Sequence, residues 1–131
     1  MTARVRNSPP VRAEGAAGAR AVGAWQAEGT AADRATIAAA VRYTLDLLAA
    51  QAPGRSVEVR IPPYAAVQCV EGPRHTRGTP GSTVETDPQT WLRLATGRQS
   101  WSEAVAAGAV RVSGERAELS AYLPLIDQPT S

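Results

Sequence analysis

The residues best suited to chemistry lie in the segment EGPRHTRGTPGST, where His75, the only histidine of this 131-residue chain, stands between Arg74 and Arg77. Two guanidinium groups and the backbone amides of nearby glycines can hold a carboxylate or a phosphate, and a histidine changes charge near neutral pH. The alternative is a connecting loop whose arginines pair with Glu71 and Glu85. Charged loops are more often solvated than functional, which favours the alternative.

Other catalytic and metal-binding arrangements have less support. A Ser/His/Asp triad could be drawn from His75, Asp87 and a serine, but no serine lies in the glycine pattern of a nucleophile elbow. One histidine and one cysteine leave any metal site dependent on carboxylates. Cys69 is expected to be a small core residue, because free cysteines are among the most buried side chains. We therefore predict no catalytic residue, no bound metal and no cofactor.

Composition excludes several classes of protein. All 14 basic residues are arginines, so the chain has no Walker A lysine, Schiff-base lysine or pyridoxal-phosphate anchor. A net charge of +2 with interspersed acidic residues argues against a nucleic-acid partner. The single cysteine fits a reducing compartment. No apolar run approaches the roughly 20 residues of a membrane span. The N-terminus lacks the hydrophobic h-region of a signal peptide, so we do not expect secretion. We expect a cytoplasmic protein. The surplus of Ala, Arg, Gly and Pro suggests a high-GC bacterium such as an actinobacterium.

The first half of the chain is expected to supply one principal helix and three strands. An alanine-rich, weak helix comes first, and we expect it to stay outside the core. A cap at Thr30–Asp33 then begins the longest helix of the chain. Val57–Ile61 alternates apolar and charged residues, as a strand with one buried face does. Tyr64–Val70 predicts a second, more central strand, and Thr83–Thr86 predicts a third.

Start and stop signals divide the second half into two short helices, a strand and a closing helix. Asp87 is a capping carboxylate before Pro88 at the first helical position, and a glycine follows where that helix should end. Ser100 and Glu103 have the spacing of a capping box before the second helix. An alternating strand comes next, and apolar residues at helical spacing predict a last helix that Pro124 ends.

The stretch LATGRQSWSEAVAAGAVRVSG resembles the C-terminal half of the sterol carrier protein family, especially its small bacterial members. In that family a leucine-rich turn ends in glycine, a short helix carries a small residue before a second glycine, and a strand ends in a turn. The matching positions here are Leu92, Leu94, Gly97, Ala104, Gly108, Val110 and Gly114. The resemblance implies an α+β domain over residues 30–126, with an antiparallel or mixed sheet and helices packed on one face. We expect residues 1–29 to precede it as a partly disordered segment with the weak helix, and residues 127–131 to follow as a tail.

The resemblance further implies an apolar tunnel between sheet and helices, which binds and carries a lipid, a fatty acid or a sterol-like molecule without catalysis. Arg74, His75 and Arg77 would form its polar mouth. The expected facing of the side chains gives the tunnel residues as Val59, Ile61, Val67, Cys69, Leu94, Trp101, Val105, Leu119 and Leu123.

Other functions remain open at this point. The chain is alternatively an accessory or interaction module that supports a separate, thiol-dependent bacterial enzyme, or a small enzyme centred on His75. A protein partner or a homodimer is compatible with either. Trp91 and Trp101 lie at the starts of the two short helices, where they form a mobile lid over a ligand or simply anchor the helices to the sheet.

Overall fold

The computed structural model describes residues 12–72, 81–114 and 117–126, with side chains described from residue 15 onward. Four helices and four strands make up the part described, and two short 3-10 turns, Gly29–Ala31 and Ser120–Tyr122, lie between or after them. The predicted α+β class is confirmed. The elements in chain order are α1 (Arg12–Glu28), α2 (Arg34–Gln51), β1 (Val57–Ile61), β2 (Ala65–Cys69), β3 (Ser82–Thr86), α3 (Pro88–Ala95), α4 (Trp101–Ala106) and β4 (Val110–Ser113).

The four described strands form one mixed sheet in the order β2-β1-β3-β4. β1 pairs with β2 and β3 with β4 in antiparallel fashion, whereas β1 and β3 are parallel, with Val59 opposite Val84. β2 therefore lies at an edge of the described sheet, and the prediction that it is more central is wrong. Its apolar pattern on both faces was misleading because it comes partly from Ala65 and Ala66, which cost little to expose.

Across β1, β2 and β3 one face of the sheet is buried and the other is polar, whereas Val112 of β4, opposite Val84 on the inner face, is 46% exposed. The buried face carries Val57, Val59 and Ile61 of β1, each with no exposed surface, beside Val67 and Cys69 of β2. Because side chains alternate along a strand, the intervening residues point the other way. On that outer face a row crosses all four strands in register, and its members are Ala66, Arg60, Glu85 and Arg111.

Helix α2 is the central element of the helical layer, as its length predicted. Asp33 begins it, because its Oδ1 atom accepts a hydrogen bond of 2.7 Å from the backbone N–H of Thr36. The helix packs against β2, α1 and α3. The face that it buries consists of Ala38, Ala40, Val41, Thr44, Leu45, Asp46 and Leu48.

The prediction that the first helix stays outside the core is wrong. Val22 and Trp25 of α1 are only 4% and 2% exposed, and both belong to the same apolar cluster as the sheet and α2. The low helix propensity of a glycine-rich segment is outweighed here by tertiary packing. Gly18 makes this packing possible, since a methyl group in its place would overlap the ring of Tyr43.

The caps of the two short helices are confirmed. Asp87 accepts a hydrogen bond of 2.8 Å from the N–H of Thr90, with Pro88 at the start of α3. At α4 the predicted capping box is complete. The hydroxyl of Ser100 accepts from the N–H of Glu103 at 3.1 Å, and the Glu103 carboxylate accepts from the N–H of Ser100 at 2.8 Å.

The closing helix is not formed. Only the 3-10 turn at Ser120–Tyr122 interrupts an otherwise irregular segment. Pro124 disfavours helical geometry at the residue before it, which leaves too few residues for an α-helix. The segment is held instead by burial of Leu119 and by hydrogen bonds from the N–H groups of residues 125 and 126 to the carbonyl oxygen of Ala95, at the end of α3.

Candidate functional site

Four of the nine predicted ligand-binding residues lie together on the inner face of β1 and β2. Val59 and Val67 are register partners, Ile61 lies on the same face, and Cys69 is opposite Val57. None of the four predicted side chains is more than 2% exposed, and all belong to the apolar cluster that the sheet shares with the helices. The predicted orientation of the side chains on β1 and β2 was therefore accurate, and these side chains are closely packed in the interior.

Three further predicted residues are buried outside the sheet. Leu94 of α3 and Leu119 of the C-terminal segment are at most 1% exposed, and Trp101 at the start of α4 is 9% exposed. Val105 differs, because 40% of its surface is exposed. α4 turns Trp101 and Ala104 inward, and a residue one position further along a helix points about 100° away. Val105 is therefore not on the buried surface where a tunnel was predicted.

An open groove of about 660 Å³ lies between the start of α4 and the C-terminal segment. Its apolar part comes from Leu94, Trp101, Leu123 and Pro124, of which Leu94 and Trp101 are buried and Leu123 is half-buried. The structure thus brings three of the nine predicted residues to one concave surface. The remainder of its lining is Gly97, Arg98, Gln99, Ser100, Ser102, Glu103, Glu118 and Ser120.

Two carboxylates on the groove are held by hydrogen bonds within their own segments. The pKa of Glu103 lies below its ordinary value because the backbone N–H of Ser100, and then its hydroxyl, donate to the carboxylate. The hydroxyl and the N–H of Ser120 lower the pKa of Glu118 in the same way. Both groups are therefore ionised at neutral pH, and they border an apolar floor with negative charge.

A second concavity, of about 390 Å³, has a different character. It lies where β3 ends and β4 begins, and its lining includes Glu85, Asp87 and Arg111 but no large apolar side chain. The Asp87 carboxylate is already the cap of α3 and also accepts from the Thr90 hydroxyl at 2.8 Å. This surface suits an apolar ligand far less than the groove beside α4.

The two tryptophans that the sequence left open have different environments. Trp91 is fully buried, and its indole N–H donates to the hydroxyl of Thr44 on α2 at 2.8 Å. It anchors α3 to α2, whereas the second of the two interpretations expected an anchor to the sheet. Trp101 is also largely buried, but it borders the groove and can contact a ligand there.

Cys69 is a core side chain, as expected. It has no exposed surface, and burial raises the pKa of its thiol to about 12. Since only the thiolate is a strong nucleophile or metal ligand, the thiol is inert at neutral pH. Within residues 12–72, 81–114 and 117–126, no three His, Cys, Asp or Glu side chains are grouped so as to hold a metal ion.

The predicted polar mouth, Arg74, His75 and Arg77, lies outside the described residues and stays a prediction. Most residues of the groove wall were not predicted from the sequence. The Ser100–Glu103 capping box did mark the turn that forms one wall. Nothing in the sequence indicated that the segment around Glu118 would lie opposite that turn.

A sequence model of the bacterial SCP ortholog family matches residues 33–125 of the chain. The protein therefore belongs to the sterol carrier protein-like family. The match begins at Asp33, the cap of α2, so α1 precedes the matched segment. A search of the curated proteins found no match to this chain. No helix in the described part of the chain is both long and apolar enough to cross a membrane.

Proposed function

We propose that this protein binds and carries a lipid or another apolar small molecule non-covalently, without acting as an enzyme, and that the groove beside α4 receives it. The observation that carries the proposal is the groove floor, which the buried side chains of Leu94 and Trp101 form together with the half-buried Leu123. Its volume of about 660 Å³ falls within the roughly 300–1,000 Å³ of typical ligand pockets. Membership of the sterol carrier protein-like family supports a lipid as the ligand class.

Binding would be driven by removing apolar surface from water, which contributes about 25 cal/mol per Å² before the losses of ligand and side-chain freedom. The buried predicted residues, including Leu119 and the inner face of β1 and β2, lie in the same apolar cluster as the groove floor. We propose that the inner-face residues of β1 and β2 become ligand contacts when the C-terminal segment, which carries Leu119, moves aside. That segment is suited to such movement, because only a single 3-10 turn gives it regular structure.

The test compares two variants in which an apolar side chain is replaced by glutamate, one in the groove and one outside it. Leu123→Glu introduces a charge into the groove, and Val112→Glu introduces one on β4, at a side chain that is 46% exposed and does not line the groove. We expect Leu123→Glu to weaken binding of a fluorescent fatty acid or sterol by roughly tenfold or more, because an apolar site disfavours a buried charge. The control variant should bind as the unchanged protein does.

Native mass spectrometry of freshly purified protein provides a second readout. Co-purified lipid supports carriage, whereas a stable complex with a different protein favours the accessory-module alternative. If fatty acids and sterols all fail to bind at tens of micromolar, or if Leu123→Glu and Val112→Glu bind them equally well, the proposal is wrong.

A further inference from the structure

Arg98 contacts two separate parts of the structure. It lines the groove beside α4, and its guanidinium also stacks over the ring of Trp25 in α1, with 5.1 Å from the guanidinium carbon to the ring centroid. One of its terminal nitrogens, Nη2, donates a hydrogen bond of 3.0 Å to the carbonyl oxygen of Gln26. A residue of the groove wall is thereby attached to the first helix.

The contact with Gln26 falls at the C-terminal end of α1. The last four carbonyl groups of an α-helix lack partners within the helix, and the helix dipole places negative partial charge there. A cationic side chain that donates to one of these carbonyls supplies the missing hydrogen bond and places positive charge at the negative end of the helix dipole. Arg98 therefore caps α1, although 72 residues separate it from Gln26 in the chain.

The Trp25 ring on which this arginine stacks is itself held in place. It is only 2% exposed, and its indole N–H donates to the side-chain oxygen of Gln89 on α3 at 2.9 Å. Stacking uses the face of the guanidinium, and the bond to Gln26 uses one of its five N–H donors. Donors along the other edges of Arg98 can therefore bind a ligand while both contacts with α1 are kept.

We propose that α1 positions Arg98 to bind the anionic end of an amphiphile whose apolar part lies on the groove floor. This inference rests on the proposed function of the groove. Arg98 supplies the positive charge among the groove-lining residues, whereas Glu103 and Glu118 supply negative charge. An anionic group is therefore favoured beside Arg98 and disfavoured beside the carboxylates of Glu103 and Glu118.

The contacts with α1 preorganise Arg98 for binding. A free arginine side chain loses conformational freedom when it binds a ligand, and an arginine already held by α1 loses less. The affinity for an anionic amphiphile should then depend on α1, and by linkage the ligand should stabilise the last turn of α1. A neutral amphiphile of the same chain length should show neither effect.

The test uses the full chain with dodecanoate as the anionic probe and monododecanoylglycerol as the neutral one. We expect Trp25→Leu to weaken dodecanoate binding roughly two- to tenfold, the cost of ordering one long side chain, and to leave the neutral probe unaffected. Arg98→Gln should remove the preference for dodecanoate. Arg42→Gln, at an exposed position of α2, is the matched control and should bind both probes normally.

Hydrogen exchange of the unsubstituted protein gives a measurement that does not depend on folding of a variant. Dodecanoate should slow exchange of the amides at residues 24–28, and the neutral probe should not. If both probes bind but neither the exchange nor the Trp25→Leu affinity changes, the inference is wrong and the proposed function stands. If neither probe binds, the proposed function fails, and this inference fails with it.

Discussion

The indole nitrogen of Trp91 donates a hydrogen bond of 2.8 Å to the hydroxyl oxygen of Thr44, and both side chains have no exposed surface. The same hydroxyl donates to the carbonyl oxygen of Ala40, 2.8 Å away on the previous turn of α2. One threonine thus satisfies the buried indole of α3 and joins that helix to the central one. The floor of the groove depends on this junction, because Leu94 follows Trp91 on the same short helix.

Replacement of Thr44 by valine should therefore destabilise the protein, although the two side chains have similar volume. The substitution leaves the indole N–H of Trp91 buried without a partner, which costs about 1–3 kcal/mol. Urea denaturation measures the change in the free energy of unfolding. Thr83→Val is the control, since that hydroxyl pairs with Ser113 in a solvated setting, and we expect a change within about 0.5 kcal/mol.

Two glycines of α1 should respond in opposite directions to the same substitution. At Gly18 an added methyl group would lie 2.4–2.6 Å from ring and Cβ atoms of Tyr43, whereas at Gly23 nothing lies within 4 Å. Gly23→Ala should stabilise the protein by about 0.5–1 kcal/mol through helix propensity alone. Gly18→Ala should lower the midpoint of thermal unfolding, because α1 and α2 must separate. Equal effects of the two substitutions would show that α1 does not pack closely against α2.

The thiol of Cys69 should be protected from reagents in the folded protein. Burial raises its pKa to about 12, and the side chain has no exposed surface, so labelling with iodoacetamide near pH 8 requires unfolding. We expect the labelling rate to rise across the urea transition and to follow it. Ser102→Cys introduces a thiol at an exposed position of α4, and this second thiol should react at once. Rapid labelling of Cys69 in the absence of urea would contradict its place in the core.

The cap of α2 should make stability depend on pH in the acidic range. The pKa of Asp33 is lowered, first by the backbone N–H of Thr36 and then by its hydroxyl. A carboxylate with a lowered pKa stabilises the folded state above its unfolded pKa, near 4, and loses this contribution as the pH falls through the folded value. Asp33→Asn keeps a capping oxygen that does not titrate. Its unfolding free energy should therefore decline less between pH 5 and pH 3 than that of the unchanged chain, as measured by urea titration; parallel declines would refute the assignment.

The sequence predicted well those features of the fold whose formation depends on a few neighbouring residues. Asp87 and the Ser100–Glu103 pair were identified as caps from sequence spacing alone, and each makes the expected hydrogen bond. The cap of α2 was predicted within Thr30–Asp33, and the structure assigns it to Asp33. Val57–Ile61 was identified as a strand by alternation, and its buried face is the one predicted. These features depend on groups at most four residues apart, so the sequence contains all the information they require.

The closing helix was wrong for a local reason, because Pro124 disfavours helical geometry at the residue before it. Two other wrong predictions concern features that depend on distant parts of the chain. β2 was expected to be central, but the parallel pairing of β1 with β3 puts β2 at the edge of the described sheet. α1 was expected outside the core, but Gly18 packs closely against Tyr43 of α2, and Trp25 donates a hydrogen bond to Gln89 of α3. Neither partner can be identified from periodicity.

The sequence by itself determined the α+β class, the order of the four described helices and four described strands, the capping residues that begin α3 and α4, and the range Thr30–Asp33 that holds the cap of α2. Its resemblance to sterol carrier proteins also gave the family. Only the tertiary structure decided that Leu94, Trp101 and Leu123 share a groove and that Arg98 reaches the end of α1. The physical reason is that helix caps and strand alternation are set by local geometry, whereas a groove forms from segments whose proximity results from packing the whole core.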